Sequence, residues 1–213
     1  METRAYSELY IENAQNVLGH MFDFAICEAG VEADEFAGRF AVSSVSGEIA
    51  KGNVTYVAGK TGPELANLVM EQTGYGKTLP EDIMFTDRSP QYWGGWIIAY
   101  YQWFRDYRFD NILEAVKFSE IIGLYDIYHE MDISKAVEEL DRRMNARFPD
   151  SALKRHRQLQ GLSQRELAEM SGVALRQIQL FEQGQRDIRK AGADTVLKLS
   201  KALSCDMESL VKG

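Results

Sequence analysis

Three helix-length segments follow one another between residues 152 and 183 with almost no room between them, and this spacing constrains the fold more than any other feature. Residues 152–160 are closed by Gly161, a residue that readily takes the left-handed backbone of a helix end. Ser163-Gln164-Arg165-Glu166 is a capping box that starts a second helix, with Leu167, Ala168 and Met170 as its apolar side. Ser171-Gly172-Val173 is a tight turn, and a third helix is expected over 174–183, stopped by Gly184. Residues 194–203 and 207–211 complete a set of five short helices. Helices this short bury little individually, so they must share one compact core.

Charge divides the chain at the same place. Over all 213 residues the net charge is -8, but residues 1–150 hold 13 Lys/Arg and 25 Asp/Glu, a balance of -12. Residues 151–213 hold 11 Lys/Arg and 7 Asp/Glu, a balance of +4, and the two sum to -8. Such asymmetry suggests an acidic module joined to one that binds nucleic acid. Phosphates would repel the acidic part, which must face something else. The expected domains are therefore 1–148 and 151–213.

On a helical wheel the third segment turns Ile178 and Phe181 inward, with Ala174 close to them. Arg176, Gln179, Leu180 and Gln183 point the other way, and Leu175 and Gln177 flank them. The stretch LKRHRQLQGLSQRELAEMSGVALRQIQLFEQGQR, followed by TVLKLSKALSCDMESL, resembles the Cro/C1-type (XRE) helix-turn-helix family. The resemblance covers about 60 residues and implies a protein that binds a specific double-stranded DNA site. It implies base reading by Leu175, Arg176, Gln177 and Gln179 in the major groove, where Arg pairs with guanine and Gln with adenine. It further implies a phosphate contact from Gln164 at its exposed helix start. Arg165 and Arg186 join the expected DNA-contacting set. With them, Lys154, Arg155, Arg157, Arg189 and Lys190 are available to neutralise phosphates. A homodimer reading two half-sites follows from the same resemblance. Two residues depart from the pattern: Ala174 stands where the family usually has a capping Ser or Thr, and Leu180 is apolar at an outward position.

The first 150 residues also read as helical, giving an all-α fold: an N-terminal helical domain followed by the five-helix domain. Tyr10, Ala14, Val17, Leu18, Met21, Ala25 and Ile26 predict an amphipathic helix over 7–28, stopped by Gly30. A second helix is expected over 33–44. Residues 47–62 are glycine-rich, with 53–58 as an extended piece. Thr61-Gly62-Pro63-Glu64 reads as a capping box opening a helix to about Thr73. Ser89-Pro90 starts a helix carrying Tyr92, Trp93, Trp96, Ile97, Ile98, Tyr100, Tyr101, Trp103 and Phe104, apolar over most of its circumference. Such a helix belongs in a core, although a partner groove would need the same residues. Another helix fits 109–118. Asp132 then caps one striped by Ile133, Val137, Leu140, Met144 and Phe148, with a short link at Phe148-Pro149-Asp150.

Several chemistries are disfavoured. Gly74-Tyr75-Gly76-Lys77-Thr78 and Ala58-Gly59-Lys60-Thr61 resemble the end of a phosphate-binding loop, but Glu71 and Val54 occupy the required glycine positions. His20, His129 and His156 show no metal-ligand spacing with each other or with Cys27 and Cys205. The carboxylates Asp23, Glu28 and Glu32 read as a solvated face. No nucleophile elbow exists, so neither cofactor nor catalysis is expected. The two cysteines read as buried free thiols of a reducing compartment. There is no run of about 18 apolar residues, and Met1-Glu2-Thr3-Arg4 lacks a signal-peptide pattern, so the expected address is cytoplasmic.

Segments of the N-terminal part, notably the Ser-Pro-x-Tyr-Trp helix, resemble those of bacterial toxin–antitoxin pairs. The expected function is therefore an antitoxin that binds a toxin through its acidic domain and represses its own operon. The alternative is a transcriptional regulator with a small-molecule pocket in the N-terminal domain.

Overall fold

The structure is a computed structural model describing residues 4–77, 79–80, 88–148, 151–183 and 186–211. The link residues Pro149 and Asp150, the stop glycine Gly184, and Thr78 of the loop-like motif lie outside it. Every regular element among the described residues is helical. The N-terminal part contains α1 (Ile11–Asp23), α2 (Ala33–Val42), α3 (Ser44–Ala50), α4 (Val54–Val57), α5 (Gly62–Gln72) and α6 (Pro90–Arg105). It continues with α7 (Phe109–Ala115), α8 (Phe118–Ile122), α9 (Tyr125–Tyr128) and α10 (Ile133–Arg147). The C-terminal part contains α11 (Ala152–Leu159), α12 (Gln164–Ser171), α13 (Leu175–Glu182), α14 (Ala193–Ala202) and α15 (Met207–Val211).

The expected starts are built from the expected residues. Thr61 and Glu64 close both bonds of a capping box before α5, and the Ser89 hydroxyl accepts from the Tyr92 amide at 3.0 Å before α6. The Asp132 carboxylate accepts from Ser134 N–H at 2.9 Å to open α10. Past Asp23, α1 loosens into a π-helical turn over Phe24–Glu28, and Gly30 ends it at φ +67°.

Two stretches differ from expectation. Residues 53–58 are not extended: the Asn53 side chain accepts from Thr55 N–H at 3.1 Å and so starts the short helix α4, whose Val57 is fully buried. The glycine-rich segment before it is also helical as α3. There Ser46 turns its hydroxyl onto the carbonyls of Ala41 and Ser43 instead of breaking the chain direction. Residues 109–118 form two helices rather than one, because Val116 is extended (φ -137°, ψ 115°) and swings Phe118 into the core.

α1 and α6 form the central pair. At Gly95 a side chain would stand 2.4 Å from the Leu18 carbonyl oxygen, so the helices approach as closely as their backbones allow. Phe22 of α1 stacks on Phe118 with ring centroids 4.1 Å apart and meets Phe36 and Phe40 edge-on at 5.1 and 5.5 Å. The aromatic residues of α6 are mostly core: Tyr92, Trp93, Tyr101 and Trp103 are buried, as are Ile97 and Ile98 between them. The polar ends of these aromatics are satisfied, with Tyr101 donating to Asp141 at 2.8 Å and the Trp103 indole to Tyr6 O at 2.9 Å. Trp96, Tyr100 and Phe104 remain half-buried.

The cysteines are free, as expected, but Cys27 is exposed and Cys205 half-buried, so neither is the fully buried thiol the sequence suggested. Gly74 and Gly76, at φ +67° and +73°, end α5 rather than follow a strand, which removes the structural context of a phosphate loop.

α6 ends at Asp106, a non-glycine residue in the left-handed region (φ 53°), and burial raises its carboxyl to about 6. Folding thus favours protonated Asp106. That contribution is complete below the unfolded carboxyl range and is lost as pH rises through about 6. Asp106→Asn keeps a side chain suited to left-handed backbone and abolishes the charge. It is expected to raise stability at pH 7.5 by about 1–3 kcal/mol and to flatten the stability profile between pH 5 and 7, measured by urea titration.

Candidate nucleic-acid interface

The C-terminal helices enclose their own apolar cluster: Leu153, Leu167, Val173, Ile178, Phe181, Val196, Leu199, Leu203 and Leu210. α12 begins with the expected capping box. Ser163 accepts from Glu166 N–H at 3.1 Å, and Glu166 accepts from Ser163 N–H at 2.7 Å. The turn to α13 is fixed by Gly172 at φ +67°, whose conformation disfavours any side chain. Ser171 supports it by donating to Leu167 O at 2.6 Å and accepting from Val173 N–H at 3.2 Å.

α13 presents most of the expected face. Ile178 and Phe181 are buried, Arg176 and Gln183 are exposed, and Leu175, Gln177 and Gln179 are half-buried. Two wheel positions are corrected. Ala174 is exposed, because Val173 takes the inward place at 5% exposure. Leu180 is half-buried rather than fully outward. Ala174 makes no side-chain cap, so the first turn of α13 lacks a hydrogen bond that Ser or Thr would supply there.

The cationic residues separate into two groups. Arg165, Arg176, Arg186 and Lys190 are exposed, and Lys154 is half-buried. Arg189 is exposed but folds onto Asp187 at 2.9 Å. Arg155 and Arg157 are buried and correct the expectation of phosphate neutralisers. Arg155 donates to Phe148 O at 3.2 Å, and Arg157 grips both carboxylate oxygens of Glu182 at 2.6 and 2.8 Å.

Glu182 is the residue the sequence reading missed. Besides holding Arg157, it accepts from the Gln164 amide at 2.8 Å, tying α11, α12 and α13 into one polar network. Gln164 is thereby oriented at the N-terminus of α12 with one amide hydrogen still available to a phosphate oxygen. Only the fold brings Glu182 to Arg157, 25 residues away. Charge alone could have paired either residue with solvent.

α11 joins this domain to the N-terminal helices. Leu159, 2% exposed, belongs to the apolar cluster of the N-terminal part. Arg108 N–H and the Asn111 amide both donate to Leu159 O, at 2.9 and 3.0 Å. Gln160 donates to Arg105 O at 3.3 Å and to Leu203 O at 2.6 Å. Tyr107 Oη and His156 Nδ1 share a hydrogen bond of 2.6 Å. Burial, with Arg155 and Arg105 nearby, lowers His156 to about 3, so it is neutral, and burial keeps Tyr107 a phenol. Tyr107 and His156 therefore meet as two neutral groups, so their own contact buries no charge.

Among the described residues no helix is long and apolar enough to cross a membrane, and no cluster of His, Cys, Asp and Glu could hold a metal ion. No curated protein and no solved structure matches the chain. Residues 153–210 match the family model described as Helix-turn-helix. With its capped α12, glycine turn and outward α13, this C-terminal part is a Cro/C1-type helix-turn-helix domain, and the chain carrying it is a DNA-binding regulator.

Proposed function

We propose that the chain represses its own operon as an antitoxin, working as two modules: a DNA-binding module over 151–213 and an acidic partner-binding module over 1–148. The observation that carries DNA reading is α13, whose buried Ile178 and Phe181 hold Arg176 outward beside Leu175, Gln177 and Gln179. A homodimer would place two such helices in successive turns of the major groove. Gln164, Arg165 and Arg186 serve the backbone on either side.

Partner binding is supported by exposed apolar side chains of the N-terminal part. Leu9 (85% exposed), Ile127 (57%) and Met131 (51%) stand in water, each beside an acidic residue in the sequence: Glu8, Asp126, and Glu130 with Asp132. Apolar anchors inside an acidic rim suit a basic protein surface, such as the active face of a toxin that acts on nucleic acid.

Two experiments test the two halves. Arg176→Ala is expected to cost about 1–3 kcal/mol in operator binding and to relax specificity at one base pair, read by anisotropy against a panel of singly substituted operators. An equal loss on every sequence would make Arg176 a phosphate contact instead. Co-expression with the product of the adjacent gene should yield a stable complex that Met131→Glu weakens. Absence of a complex refutes the antitoxin role and leaves DNA binding standing.

A further inference from the structure

A cleft lies at the junction between the two parts, outside the face of α13. It has a volume of about 580 Å³. One wall is α6 and α10 with their flanking turn, contributing Arg105, Tyr107, Asp141 and Asn145; the other includes His156 of α11 and the Asp206–Ser209 stretch that opens α15.

The chemistry of its floor is unusual because the Arg105 guanidinium is only partly used. Arg105 is 8% exposed; its Nε and Nη2 donate to Asp141 at 3.2 and 2.5 Å. Its Nη1 is left facing Asp206 Oδ2 at 3.9 Å, too far for a hydrogen bond. Asp141 is committed as well, since it also accepts from Tyr101 at 2.8 Å. The cleft thus brings together Arg105, a buried, positively charged donor, and Asp206, a half-open carboxylate, from different parts of the chain; Arg155 and Glu208 line it as well. Beside them stand a neutral imidazole and the Asn145 amide.

A purely anionic ligand would meet Asp206, and a purely cationic one would meet Arg105. A molecule carrying both charges satisfies the pair: its carboxylate accepts from Arg105 Nη1 and its ammonium donates to Asp206. We infer that this cleft binds a small zwitterionic metabolite of the amino-acid class and that its occupancy shifts the affinity of the helix-turn-helix for DNA. The coupling follows from position. A bridged Arg105–Asp206 pair ties α6 to α15, which packs on α11 and α14, so the ligand favours one arrangement of the two parts over others. By linkage, operator DNA must then change ligand affinity by the same factor.

The test uses the full chain with each of the twenty standard L-amino acids, by calorimetry and by anisotropy of labelled operator DNA. At least one is expected to bind and to change operator affinity fivefold or more, with DNA shifting the ligand's affinity reciprocally. Asp206→Asn should weaken that amino acid tenfold or more. It should bind the corresponding 2-hydroxy acid, which lacks the ammonium group, as the wild type does. Asn145→Trp, which puts a large ring into the cleft from an exposed position of α10, should abolish binding while the melting temperature stays near that of the wild type. Binding by none of the twenty, or binding indifferent to both substitutions, overturns the site. Binding without any change in operator affinity overturns the coupling. None of these outcomes depends on a protein partner, so the cleft and the antitoxin role fail separately.

Discussion

Glu182→Ala is expected to lower stability by about 3–5 kcal/mol and to abolish operator binding under conditions where the wild type binds tightly. The Glu182 side chain is 3% exposed and that of Arg157 is 11% exposed, so removing the carboxylate strands a guanidinium away from water. Arg157 keeps only its bond to Leu162 O at 2.7 Å, and Gln164 loses the acceptor that orients it. The loss on DNA should be uniform across operator variants, because what fails is the mutual placement of α11, α12 and α13 rather than one base contact. Pairing the substitutions as Arg157→Met with Glu182→Leu should recover much of the stability, since replacing a buried ion pair with apolar groups is often neutral. It should not restore the orientation of Gln164. Urea denaturation followed by far-UV circular dichroism measures the first effect. A wild-type midpoint for Glu182→Ala would show that water solvates the pair.

Phe22→Ala should cost a similar amount, about 3–5 kcal/mol, in the N-terminal part. Phe22 is fully buried and contacts three other phenyl rings from α2 and α8, so the vacated space borders side chains that cannot all close over it. The chain reports on this region by itself, because Trp93, Trp96 and Trp103 all lie on α6. Tryptophan fluorescence should therefore show a clear shift of the denaturation midpoint. If residues 151–213 fold as a separate module, Phe22→Ala should reduce operator binding far less than Glu182→Ala does. Equal losses would mean that the junction at Leu159 and Gln160 makes the two parts one cooperative unit.

What the sequence revealed followed local rules. Capping boxes at Thr61 and Ser163, the Ser89-Pro90 start and the Gly172 turn are each written within four residues, and each appears where expected. The inward Ile178 and Phe181 followed from helical periodicity alone. The misreadings concern groups whose state depends on distant partners. Glycines at 47 and 52 suggested open chain, yet the α3–α4 segment is held helical by hydroxyl and amide side chains and by the burial of Val57. Arg155 and Arg157 carry the same charge as Arg165, but packing turns them into structural residues. His156 looked like an ordinary histidine until Tyr107, 49 residues away, met it at the junction. No local pattern encodes a cleft whose two charged ends, Arg105 and Asp206, come from opposite parts of the chain.

The charge division between the two parts of the chain has a structural counterpart. The basic residues left exposed in the C-terminal part include Arg165, Arg176 and Arg186, while the acidic part meets it through neutral and hydrogen-bonded groups at α11 and through Arg105 facing Asp206. Repulsion between the N-terminal carboxylates and phosphate would then help to orient the molecule on a duplex.

The central claim, that α13 reads a specific duplex, is tested most directly by equilibrium anisotropy with the promoter of the chain's own gene and with a scrambled duplex of equal composition, at two salt concentrations. The account predicts binding to the promoter at least about a thousandfold tighter than to the scrambled duplex, with both affinities falling as salt rises. Equal affinity for the two duplexes at both salt concentrations would contradict it.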